Sequence, residues 1–230
     1  MNVDYLKPKE NLNRKIWKSE DKIYANIKNA LLKIAEKFID ETELNISYSD
    51  IVFTGSLANY NYNVTSDIDL HIIIKDVYSG NAEKFLEKFL SAKKSYWNEN
   101  HDIKILGYDV EIYPEFDEAG HSSGGVYSLM KDKWIVKPEK FKSEPDFNAV
   151  IKKYNDLKSQ IDDALKNAKS EKEVERLLEK IRKKRKAGLN RSGELSVENL
   201  AYKVLRRKGL IQKLFDLSNR LYDQKYSLEK

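Results

Sequence analysis

Apolar and polar residues alternate strictly along Ser66-Asp67-Ile68-Asp69-Leu70-His71-Ile72 and again along Gly107-Tyr108-Asp109-Val110-Glu111-Ile112-Tyr113. A period of two predicts strands with one face in a core and the other available for chemistry. Ile51-Val52-Phe53 is a short β-branched and aromatic run, which predicts a buried strand. Elsewhere the period is helical. Asn11 to Ile39 carries Ile23, Ile27, Ala30, Leu31, Ile34 and Phe38 at three- and four-residue steps. Ser79-Gly80-Asn81 signals a turn before a second helix, Ala82 to Trp97, with Phe85, Leu86, Phe89 and Leu90 on one face. Ile103 to Tyr113 reads as one strand bent at Gly107. Val126 to Leu129 and Trp134 to Val136 read as short strands around a Lys131-Asp132-Lys133 turn.

Past Pro138 and Pro145 the pattern is wholly helical. Val150, Ile151, Tyr154, Leu157, Ile161 and Leu165 form one stripe, and Ser170 to Glu173 spells a capping box. That helix is expected to end at Gly188 and the Asn190-Arg191-Ser192-Gly193 turn. Ser196 and Gly209 then open two more helices. The order of elements predicts an α/β (α+β) fold: a mixed β-sheet flanked by helices over residues 1–143, followed by a helical domain over 144–230.

The chemistry concentrates between the buried strand and the first alternating one. Gly55 permits a tight turn and close approach of a ligand to the backbone. Ser56 adds a hydroxyl, and the N–H groups of the turn can face phosphate oxygens. Asp67, Asp69 and His71 share one strand face, opposite Ile68, Leu70 and Ile72. Two adjacent carboxylates repel one another unless a cation sits between them. A hard divalent ion with oxygen ligands suits such a pair, and Mg²⁺ is the usual one near phosphates. A third carboxylate is available on the second alternating segment: Glu111, flanked by aliphatic residues, is the first choice, and Asp109 is the alternative. Asn59, Tyr60 and Tyr62 in the intervening loop, with Ser66 and His71, are candidate substrate contacts. Each also has an ordinary packing role open to it, and His121 in the Ala119–Gly125 loop reads either as a ligand contact or as a plain exposed loop histidine.

Composition narrows the field. The 230 residues contain no cysteine, which excludes disulfides and thiolate metal sites, and three histidines make a zinc site a poor expectation. The N-terminal residues lack the apolar run of a secretory signal, and no stretch is apolar enough to span a bilayer, so a cytoplasmic protein with no membrane partner is expected. The net charge of +5 is unevenly placed: Lys180 to Lys208 carries +9 and the rest −4. Arg182, Arg185, Arg191, Arg206 and Arg207 in that run are candidates for binding RNA or nucleotide phosphates. The alternative is a solvated helix end complementing the helix dipole. The pattern does not specify an oligomeric state.

Gly55-Ser56, then Asp67-Ile68-Asp69, then Glu111 resembles the signature of the DNA polymerase β-like nucleotidyltransferase superfamily. The Gly-Ser-Leu-Ala-Asn-Tyr spelling is similar to its minimal nucleotidyltransferase branch. Leu12-Asn13-Arg14-Lys15-Ile16-Trp17 and Gly124-Gly125-Val126-Tyr127-Ser128 resemble segments of phage-encoded nucleotidyltransferase-like proteins. The resemblance implies transfer of a nucleoside monophosphate from an NTP to a hydroxyl, with pyrophosphate leaving. RNA such as a tRNA end, a protein or a small molecule would accept it. It further implies two Mg²⁺ or Mn²⁺ ions held by Asp67, Asp69 and Glu111, with Gly55 and Ser56 on the β- and γ-phosphates. A non-catalytic, toxin–antitoxin-like regulator that binds a nucleotide or a partner is the alternative from another class, and the filled carboxylate set speaks against it.

Overall fold

The computed structural model describes residues 3–75, 80–116 and 124–228. By its internal contacts the chain divides into two units. One is Pro8–Lys142. The other joins the residues up to Lys7 to those from Ser143 onward.

The first unit is built on a mixed six-stranded sheet. Its strands are β3 (Tyr48–Thr54), β4 (Ile68–Ile74), β5 (Lys104–Ile105), β6 (Tyr108–Glu115), β7 (Val126–Ser128) and β8 (Lys133–Val136), in the spatial order β5-β6-β4-β3-β7-β8. The β4–β6 pair is parallel and the other neighbours are antiparallel. Two helices, α1 (Ala25–Asp40) and α2 (Asn81–Asn100), supply Ile27, Leu31, Ala35, Phe38, Leu86, Leu90 and Trp97 to one apolar cluster. That cluster takes Ile51 and Phe53 from β3, Ile68, Leu70 and Ile72 from β4, and Val110 and Ile112 from β6. The alternation therefore commits one sheet face to the helices. The alternate residues, Thr54, Asp69, His71, Glu111 and Tyr113, go to the opposite face.

Residues 11–24 differ from expectation. They are not helical; Trp17–Ser19 (β1) and Lys22–Ile23 (β2) form a two-stranded antiparallel ribbon, and the helix starts only at Ala25. The reason is aromatic packing. The Trp17 ring is fully buried, stacked on Phe53 at 5.6 Å and on Trp134 at 4.5 Å, with Tyr127 edge-on at 5.1 Å. Leu12 and Ile16 are likewise fully buried. Such a cluster outweighs the modest helical preference of a short segment.

Residues 103–113 are two strands rather than one. Leu106 and Gly107 both have positive φ, 54° and 89°, and they close a β5–β6 hairpin. Phe85 is exposed rather than packed with Leu86 and Leu90. The Ser79 position and the 119–123 part of the loop, with His121, lie outside the described residues.

The second unit is a helical bundle: α3 (Phe147–Asn167), α4 (Glu171–Ser192), α5 (Val197–Arg207) and α6 (Leu210–Tyr226). Asp146 caps α3 by accepting from the Ala149 N–H at 3.0 Å. The apolar stripes meet in one core, which Val3 and Leu6 also enter. Gly188 does not end α4, which runs on to Ser192 with Gly193 as its C-cap. A Cβ at Gly188 would lie 2.8 Å from Glu198 Cβ and 2.9 Å from its Oε2, so the glycine lets α5 approach. Helix propensity alone favours Gly188→Ala by about 1 kcal/mol. The steric conflict costs about 1–3 kcal/mol. The variant is expected to unfold at lower urea concentration than the parent, and a raised midpoint would contradict this packing. Among the described residues no helix is long and apolar enough to cross a membrane.

Candidate active site

The site begins where β3 ends. Gly55 follows Thr54 with φ 77° and ψ −163°, a backbone region closed to other residues, and leads into a single 3-10 turn, Ser56–Ala58. An ideal Cβ on Gly55 would fall 1.7 Å from Asp69 Oδ2. The Asp69 carboxylate thus rests directly on the glycine backbone, and the antiparallel register that aligns Thr54 with Asp69 puts it there. Supports converge on this turn. Trp17 Nε1 donates to the Leu57 carbonyl at 2.8 Å, Thr54 Oγ1 donates to the Gly125 carbonyl at 3.0 Å, and a Cβ on Gly125 would meet the Ala58 oxygen at 2.0 Å. The two outlying segments of the sequence resemblance are therefore the supports of the turn.

Ser56 Oγ donates to Ser66 Oγ at 2.7 Å, and Ser66 Oγ also accepts from the Asn63 N–H at 2.9 Å. This ties the turn to the residue preceding Asp67. Ser66 is buried, so its hydroxyl organises the loop.

Asp67 stands immediately before β4 and Asp69 is its second residue. Across the parallel β4–β6 pair Asp69 is aligned with Glu111, so both side chains leave the same sheet face from neighbouring strands. Tyr113, two residues on, shares that face, and its hydroxyl donates to Glu111 Oε2. Burial first, then Glu111 and the charges of Asp69 and Asp67, push the Tyr113 phenol far above its ordinary range. One phenol thus feels all three carboxylates. Asp109 is spent differently: it is 56% exposed and lies 2.6 Å from Lys104 Nζ, which also bonds Asp102. His71 Nδ1 lies 2.8 Å from Glu115 Oε1, an ion-pair distance, although the direction is poor for a hydrogen bond. Among the described residues no three or more His, Cys, Asp or Glu side chains are gathered as a metal-ion site.

Two of the candidate contacts lie in the interior. Asn59 and Tyr60 are both about 4% exposed. Asn59 Oδ1 accepts from the Tyr60 N–H at 2.7 Å, and the Tyr60 hydroxyl donates to Glu20 Oε2 at 2.6 Å. Burial and the Glu20 carboxylate push the Tyr60 phenol from 10.0 up to about 12. The folded state therefore holds this proton more tightly than the unfolded chain does. Its stabilising contribution is complete below pH 10 and is lost as pH rises towards 12. Tyr60→Phe should remove that dependence. Urea midpoints of the two proteins between pH 8 and 12 should converge with rising pH, and a constant gap would contradict the bond.

The arginines of the basic run knit the helical unit together. Arg185 Nε donates to Asn199 Oδ1 at 3.0 Å and its guanidinium lies 4.6 Å from the Tyr202 ring centre. Arg191 pairs with Glu198 at 2.9 Å, Arg182 sits 5.4 Å from the Phe215 ring, and Arg207 sits 3.8 Å from Tyr5. Arg206 is exposed at the end of α5.

Sequence reasoning did not single out Tyr113, Thr54 or Trp17. The alternation that selected Glu111 also places Tyr113 on its face, so that signal was present. The contact of Trp17 with the turn lies forty residues away in sequence and carries no local signal.

No protein-family model matches the chain, and no curated protein matches it. Among solved structures it is similar to a STING-associated CdnE c-di-GMP synthase from Capnocytophaga granulosa. The identity is 16%, with 90% of this chain and 85% of that one covered, and the TM-score of 0.24 is too low to carry an argument.

Proposed function

We propose that the chain is a divalent-metal-dependent nucleotidyltransferase that moves a nucleoside monophosphate from an NTP to a hydroxyl acceptor. The observation that carries this reading is the seat of Asp69 on Gly55, in register with Glu111 on the neighbouring strand. It puts a carboxylate pair against the turn, with Asp69 seated where a side chain on Gly55 would stand.

The donor set fits a hard cation: Asp67, Asp69 and Glu111 offer only oxygen, and they are half-buried, where uncompensated charge is costly. Mg²⁺ or Mn²⁺ held there would polarise the phosphoryl oxygens and lower the pKa of an acceptor hydroxyl. The protein's own part is orientation. The turn after β3 presents backbone N–H groups to the β- and γ-phosphates, and the Ser56 hydroxyl joins them by turning from Ser66. Asp67 and Asp69 face the α-phosphate, and Glu111, on the next strand, faces the acceptor. Asp109, paired with Lys104, is the poorer third ligand. Arg185 is engaged between helices while Arg182, Arg191, Arg206 and Arg207 stay exposed, so the basic run leaves RNA, protein and small-molecule acceptors all open.

The test is incubation with each α-labelled NTP, Mg²⁺ or Mn²⁺, and bulk RNA, cell protein or small polyols in turn. Label transferred to an acceptor supports the reading. Tight nucleotide binding with no transfer in any arm would favour a non-catalytic regulator instead.

A further inference from the structure

Tyr113 follows Glu111 by two residues on β6 and shares its face. Its ring is held between neighbours: the His71 ring lies 4.9 Å away and Lys94 Nζ 5.3 Å from its centre. Its hydroxyl donates to Glu111 Oε2. A carboxylate oxygen that accepts from a phenol has part of its charge already satisfied, so a cation seeking that oxygen must compete with the phenol.

We propose that Tyr113 is a latch on the third carboxylate, holding Glu111 in a resting rotamer from which a divalent cation must draw it. Tyr113 is then a positioning residue that sets how tightly the site takes its metal. This rests on the reading of Asp67, Asp69 and Glu111 as cation ligands, and extends it by giving the site two states. In one Glu111 is bonded to Tyr113; in the other it faces Asp69. The backbone register already aligns Glu111 with Asp69, so the change needs only side-chain rotation. Metal entry would be coupled to release of the phenol.

The experiment is a Mn²⁺ titration of the full chain, read from the free-ion electron paramagnetic resonance signal. Tyr113→Phe removes one hydroxyl and leaves the ring. It is expected to bind Mn²⁺ about tenfold more tightly than the parent, the worth of one hydrogen bond to a charged group after solvent takes its place. Tyr113→Phe placed in a Glu111→Ala background should change nothing, because the latch has lost what it holds. An unchanged or weaker affinity in Tyr113→Phe overturns the latch, as does an equal effect with Glu111 absent. In both cases the ligand reading survives if Asp69→Asn still abolishes binding. Binding that ignores Asp69→Asn, or a parent that takes up no Mn²⁺, overturns the ligand reading and the latch together.

Discussion

Asp69→Asn is expected to lower nucleotide transfer at least about a thousandfold while leaving the urea midpoint close to that of the parent. The size follows from the charge. The amide keeps the shape and one acceptor oxygen but removes the negative charge that offsets the cation, and a metal's stabilisation of phosphoryl transfer amounts to several kcal/mol. The sparing of the fold follows from position. Asp69 is half-buried on the face opposite the core, so the substitution leaves the core intact and relieves repulsion with Asp67 and Glu111. Transfer that persists within tenfold of the parent would remove Asp69 from the chemistry. A variant that unfolds would show that the carboxylate is structural.

Gly55→Ala is expected to damage both fold and site. The residue has φ 77° with an extended ψ, a combination that costs a side-chain-bearing residue about 1–3 kcal/mol. The new methyl would also stand 1.7 Å from Asp69 Oδ2 and 2.7 Å from its Cγ, so the carboxylate must leave its seat or β3 and β4 must part. A loss of about 2–4 kcal/mol in urea denaturation, with transfer abolished, is the expected result. The variant also separates two explanations of the glycine. If stability falls but transfer survives, the glycine serves the turn alone and the contact with Asp69 is incidental.

The face-by-face division of the sheet was legible because alternation is a local property. Ile68, Leu70, Val110 and Ile112 declared the core, so Asp69 and Glu111 were left on the other side. The helical half was legible for the same reason, its stripes being regular over many turns. Two misreadings share one physical origin, which is that contacts distant in sequence overrode local pattern. The Ile23 and Ile27 spacing suits a helix begun upstream, but the stack of Trp17 on Phe53 and Trp134 holds residues 17–23 as a ribbon. Gly188 looks like a stop, but it serves the approach of α5 to α4. Tyr60, for which spacing left substrate contact and loop packing both open, gives its hydroxyl to Glu20. At the site, the residue types and the face could be read from spacing. The direction of the Glu111 carboxylate could not, because a rotamer choice between Tyr113 and Asp69 leaves no trace in periodicity.

Anomalous diffraction from crystals soaked with Mn²⁺ and a non-hydrolysable NTP analogue tests the shared claim of these predictions most directly. Manganese peaks contacting Asp67, Asp69 and Glu111, with the β- and γ-phosphates against Gly55 and Ser56, are the expected result. Nucleotide bound elsewhere, or manganese that touches none of the three carboxylates while nucleotide is in place, would contradict it.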